Sequence, residues 1–102
     1  MELERDVENY LKQQVKKLGG LSYKFVSPGQ RGVPDQIVIL SGGVFFVEVK
    51  KADGALRATQ EVQISKMLQH HARVFVVWSK ENVDKALKRM IGLGISSTRR
   101  WD

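Results

Sequence analysis

The chain has no cysteine, which excludes a disulfide framework, a thiol nucleophile and any thiolate-bound metal. It contains two prolines and two histidines, too few for a proline-rich linker or a histidine-rich metal tract. No apolar run approaches the roughly 18–20 residues that span a bilayer, and no signal-peptide pattern opens the chain. Internal repeats and low-complexity tracts are missing as well. These absences set the expectation of a soluble, intracellular, cytoplasmic protein with no membrane association.

What is present is 102 residues, 42% of them hydrophobic. That length and composition fill one modest core, so the expectation is a single folded domain rather than a disordered chain. Lys and Arg number 17 against 11 Asp and Glu, a formal net charge of +6. A small basic domain attracts polyanions, nucleic acid above all, by counterion release and steering.

Leu3, Val7, Leu11, Val15 and Leu18 recur every three or four residues and predict an amphipathic helix that Gly19-Gly20 stops. Leu21 to Val26 reads as a short strand, and Ser27 to Gly32, with two glycines and a proline, as a loop. Two apolar runs, 36–40 and 44–49, flank Ser41-Gly42-Gly43 and predict an antiparallel hairpin. Asp53-Gly54 makes a turn, and a second helix over 57–71 carries Gln60, Ile64, Met67 and Leu68 on one stripe. The run 74–78 is near-continuously apolar, as expected of a strand buried on both faces. Ser79 caps a last helix whose inner face is Val83, Ala86, Leu87 and Met90 and which Gly92 ends. Residues 1–94 form the expected domain, and 95–102, with Arg99, Arg100 and Trp101, a basic flexible tail. The order α-β-β-β-α-β-α implies a mixed α/β sheet flanked by helices on both faces.

The chemistry concentrates in three residues. Asp35 opens the second strand, and Glu48 and Lys50 close the third. Residues two apart on a strand share a face, about 6.5–7 Å apart, so Glu48 and Lys50 point one way and Val47 and Val49 the other. A two-residue hairpin loop sets Asp35 opposite Glu48; a four-residue loop sets it opposite Lys50 and diagonal to Glu48. Both put all three on one face, whereas a three-residue loop without a bulge does not. Two carboxylates beside an ammonium suit Mg²⁺, which keeps several waters and is held by one or two carboxylates plus substrate phosphate. Lys50 would orient or deprotonate the attacking water. Glu-x-Lys alone is a common exposed pair; the hairpin spacing to Pro34-Asp35 and the position of these ions beside apolar runs distinguish it.

Gly32-Val33-Pro34-Asp35, then Phe46-Val47-Glu48-Val49-Lys50, then Gly54-x-Leu56-x-x-x-Gln60 resemble the VRR-NUC branch of the PD-(D/E)xK nucleases. The stretch from Leu18-Gly19-Gly20 through Lys24 to Gly29 matches that branch too, so the resemblance covers residues 1 to about 79. It implies a restriction-endonuclease-like fold, with Asp35, Glu48 and the backbone carbonyl of Val49 as metal ligands and Lys50 as the catalytic lysine. Glu8 would be the helix acid and Gln60 the glutamine that follows the lysine strand. The size resembles standalone members of phages and bacteria. One departure is that the name-giving Val-Arg-Arg is absent as three consecutive residues.

Glu8 lies at the border of the first helix's apolar stripe, with Glu4 one turn earlier as its rival. Gln60 faces inward, either as a structural cap of the lysine strand or as part of the site. Arg31 and Lys51 flank the site and could contact DNA phosphates. His70-His71 diverge by about 100° on a helix and read as ordinary helix-end residues. The resulting expectation is a Mg²⁺- or Mn²⁺-dependent DNA endonuclease, a homodimer that acts on branched DNA as a Holliday junction resolvase does. The alternatives are a flap- or nick-type nuclease with the same chemistry, a non-catalytic basic DNA-binding module, or a small interaction protein.

Overall fold

A computed structural model describes residues 2–97. The elements are α1 (Glu4–Lys17), β1 (Leu21–Lys24), β2 (Gln36–Leu40), β3 (Gly43–Val49), α2 (Ala58–Gln69), β4 (Val74–Val77) and α3 (Lys80–Ser97), in the expected order. The four strands form one sheet ordered β1-β2-β3-β4. The first three pair antiparallel and β4 pairs parallel to β3. This is the mixed sheet that the patterning implied and the restriction-endonuclease-like architecture that the resemblance implied.

α1 begins where the Leu3 backbone N–H is accepted by the Asp6 carboxylate at 3.2 Å. It ends at Gly19, whose φ of +78° lets the Gly20 N–H return to the Val15 carbonyl at 2.9 Å, a left-handed stop that glycine adopts without strain. Val7, Leu11 and Val15 are buried, whereas Leu3 and Leu18 lie beyond the helix ends and stay about half exposed.

Val38, Leu40, Phe45, Val47 and Val49 share one sheet face and meet α1 and α3 there, with Val83, Leu87 and Met90 contributed by α3. Each such side chain, removed from water, contributes roughly 1.5–3 kcal/mol before entropy is counted. α2 lies against the other face at its β3–β4 end, because Gln60 reaches Glu48 there. Among the described residues, no helix covers the β1–β3 part of that face. Leu21, Tyr23 and Val44 are about half exposed, beside the half-buried Ile37, Ile39 and Phe46.

Three expectations are corrected. β4 is an edge strand, and only Val77 in it is fully buried. Leu68 is half exposed rather than part of the inner stripe of α2. α3 runs through Gly92 and on to Ser97: the two glycines weaken the helix, but Ile91 and Leu93 pack against the core and carry it on. Of the expected tail, 95–97 are therefore helical, and 98–102 lie outside the described residues. The cap was read correctly, since the Asn82 N–H donates to Ser79 Oγ at 3.0 Å.

Candidate active site

The hairpin turn sets the site. Ser41 and Gly42 have φ of +52° and +81°, the two consecutive left-handed residues of a type I′ turn, which matches the twist of the strands it joins. Leu40 pairs with Gly43 and Gln36 with Val47. One step further along the same register, Asp35 stands across from Glu48. The loop is thus the two-residue one of the two that keep Asp35, Glu48 and Lys50 on a common face. The Asp35 backbone is held on its other side, where its carbonyl accepts the Phe25 N–H at 2.7 Å and Phe25 packs edge-on against Phe46 at 6.2 Å.

Glu48 and Lys50 are buried, at 7% and 9% exposure, and their charged ends lie 3.7 Å apart. Burial raises the Glu48 pKa, the negative charge of Asp35 raises it further and Glu4 adds to this, while Lys50 pulls it down. Gln60 completes the pocket. Its Nε2 donates to Glu48 Oε2 at 3.0 Å, and its Oε1 accepts the Arg57 N–H at 2.9 Å at the start of α2. Lys50 is followed by a turn in which the Gly54 N–H returns to the Lys51 carbonyl at 2.8 Å. Trp78 Nε1 donates to the Gly54 carbonyl at 2.7 Å and ties that turn to the end of β4.

The remaining sequence-derived candidates sit around this centre. Glu8 does not reach Glu48 directly: its carboxylate binds Lys12 at 3.1 Å and Lys24 at 3.7 Å. Lys24 in turn lies 3.5 Å from Asp35. Glu4 acts on Glu48 electrostatically, so Glu4 and Glu8 of α1 both border the site. Val49 ends β3 beside Glu48 with its side chain in the core. Arg31 lines a shallow groove with Thr59, Val62 and Lys66 between the 27–34 loop and α2. Lys51 pairs with Asp53 of its own turn at 3.8 Å. Lys24 and Trp78 were not singled out from the sequence. The pairing of β1 with β2 is what brings Lys24 beside Asp35, and no local pattern announces that contact.

The donor set fits a hard divalent cation. Asp35 and Glu48 take facing positions on the hairpin, the negative charges of Asp35 and Glu4 both act on Glu48, and Lys50 and Lys24 offset this charge from either side. No group of three or more His, Cys, Asp or Glu that could hold a metal occurs among the described residues. Such a donor set, completed by water and substrate phosphate, would suit Mg²⁺ or Mn²⁺ rather than an all-protein zinc site.

Fold and site together define a nuclease-type centre on a restriction-endonuclease-like sheet. The comparisons identify the branch. A solved structure described as "VRR_NUC domain" superposes with a TM-score of 0.77 at 36% identity, covering 83% of this chain and 94% of that one. "Putative nuclease p44" of Acyrthosiphon pisum secondary endosymbiont phage 1 is 44% identical over 75 residues, 72% of this chain and 73% of its own length. A scan against protein-family models finds no match. The chain belongs to the VRR-NUC family of nuclease domains.

Proposed function

We propose that this protein is a Mg²⁺- or Mn²⁺-dependent endonuclease that hydrolyses DNA phosphodiester bonds, with Asp35, Glu48 and the Val49 carbonyl as the metal-holding groups. The observation that carries the reading is the register of the hairpin, which aligns Asp35 with Glu48 and leaves the buried Lys50 ammonium 3.7 Å from the Glu48 carboxylate. A bound divalent cation would lower the pKa of a water and neutralise charge on the scissile phosphate. The chain's own residues supply the rest. Lys50 presents a fixed positive charge to the attacking water and the developing phosphorane, Gln60 holds the Glu48 carboxylate in one orientation, and Arg31 and Lys51 offer phosphate contacts. Glu8 serves as the helix acid at the rim.

The preferred substrate in this reading is branched DNA, and the active form a homodimer. One chain carries one site, while paired incisions at a four-way junction need two sites related by a twofold axis. The uncovered face of β1–β3 supports a second copy as its occupant. Leu21, Ile39 and Val44 form one cross-strand row and Tyr23, Ile37 and Phe46 the next, an apolar patch of the kind that marks an interface.

The test is a cleavage panel of four-way junction, flap and linear duplex in Mg²⁺, Mn²⁺ and EDTA. The proposal expects cleavage only with metal and fastest on the junction. Preference for the flap moves the assignment to a flap-type nuclease, and salt-sensitive binding without any cleavage to a DNA-binding module.

A further inference from the structure

Lys50 has a counterpart on the other side of the site. Lys24, the last residue of β1, pairs in the sheet with Gln36 and so stands next to Asp35. Its ammonium lies 3.5 Å from Asp35 Oδ2 and 3.7 Å from Glu8 Oε1. The two lysines differ in freedom. The Lys50 side chain is 11% exposed and confined against Glu48, whereas that of Lys24 is 58% exposed on a flexible four-carbon stem. Exposed ion pairs contribute little to folding, so these contacts are not needed to hold β1 in the sheet. They matter electrostatically, because an ammonium this close to a carboxylate neutralises the charge that a divalent cation requires and repels the cation itself.

We propose that Lys24 is an exchangeable counter-ion, which pairs with Asp35 until a divalent cation displaces it, so that metal loading and Lys24 release are one event. The inference rests on the reading of Asp35 as a metal ligand. Once released, the ammonium stays tethered to Glu8 at the rim of the site, where a phosphodiester backbone would lie. Lys24 is then a positioning residue that acts through Asp35, and it keeps the metal-free site electrically closed.

The experiment is an Mn²⁺ titration of the full chain without DNA, by calorimetry or electron paramagnetic resonance, on wild type and the variants Lys24→Gln, Lys24→Arg and Asp35→Asn. Removing the ammonium should tighten Mn²⁺ binding about fivefold, since the competing charge is lost at a partly exposed site. Lys24→Arg should behave as wild type, and Asp35→Asn should lose most of the binding. In parallel, saturating Mg²⁺ should move the NMR signal of the Lys24 side-chain Cε toward its position in Asp35→Asn. Unchanged or weaker Mn²⁺ binding by Lys24→Gln overturns the counter-ion role, as does a Lys24 signal that ignores Mg²⁺, even when Asp35→Asn has lost the metal. Undiminished Mn²⁺ binding by Asp35→Asn overturns the underlying reading of Asp35 and the counter-ion role with it. Matching thermal melts of Lys24→Gln and wild type establish that the fold is intact.

Discussion

Gln60 spans two elements, donating from Nε2 to the buried Glu48 carboxylate at 3.0 Å while its Oε1 accepts the Arg57 N–H that starts α2. One side chain thereby joins the cap of a helix to a proposed metal ligand. The two bonds can be separated by substitution. Gln60→Glu retains an acceptor for Arg57 and cannot donate to Glu48, so it should keep most of the thermal stability and lose activity about 10–100-fold. Gln60→Ala should lose the same activity and, in addition, about 1 kcal/mol of stability with the cap. Melting curves beside initial rates separate the two. Equal activity of Gln60→Glu and wild type would reduce Gln60 to a structural cap.

Asp35 raises the pKa of Glu48, so Asp35→Asn should lower it, and Lys50→Met should raise it further. Carbon-detected NMR titration of the Glu48 carboxyl in metal-free protein measures both. The sign carries into stability. Because the folded-state pKa lies above the unfolded value of 4.5, the folded protein binds the extra proton between those two pKa values, and stability falls as pH rises through that window. Mg²⁺ should offset the loss in wild type and not in Asp35→Asn.

Gly32 has φ of +86°, and a Cβ built there would lie 2.3 Å from the Thr59 carbonyl oxygen. That close approach seats the 27–34 loop on the first turn of α2, one residue from Gln60. Gly32→Ala should therefore cost about 2 kcal/mol or more, through both the strained conformation and the displaced backbone. In a domain of this size that lowers Tm by roughly 8–16 °C, with a parallel fall in activity. A melt within about 2 °C of wild type, well below that range, would show that the loop tolerates the shift.

The uncovered sheet face makes a prediction about assembly. Tyr23→Glu and Val44→Asp, placed on adjacent rows of that face, should halve the mass seen by light scattering and leave the monomer folded. On a four-way junction, paired incision should give way to single nicks. A wild-type monomer in the presence of DNA removes the dimer while leaving the nuclease chemistry in place.

Much of this arrangement is legible in the residues themselves. The alternation around Asp35 and Glu48 and the Ser41-Gly42 turn limit the hairpin to a few registers, and the structure adopts one that aligns the acids. Ser79 and Gln60 are equally readable, because a cap and a polar residue on an inward stripe are local signals. What could not be read is non-local. Gly92 looks like a stop until Ile91 and Leu93 are seen against the core, and the apolar run of β4 looks doubly buried until its place at the sheet edge is known. The same limit hides Lys24, since its contact with Asp35 depends on how β1 pairs, and it leaves Glu4 and Glu8 undivided, because a helical pattern does not fix how far α1 slides along the sheet.

The central claim is that Asp35, Glu48 and Lys50 work together on a phosphodiester bond with one divalent cation. Its most direct measurement is single-turnover cleavage of an end-labelled four-way junction in Mg²⁺ by wild type and Lys50→Met, each at saturating protein as judged by gel shift. The account predicts metal-dependent cleavage by wild type and a loss of at least about 100-fold in Lys50→Met, with DNA binding unchanged. Cleavage by Lys50→Met at the wild-type rate would contradict it.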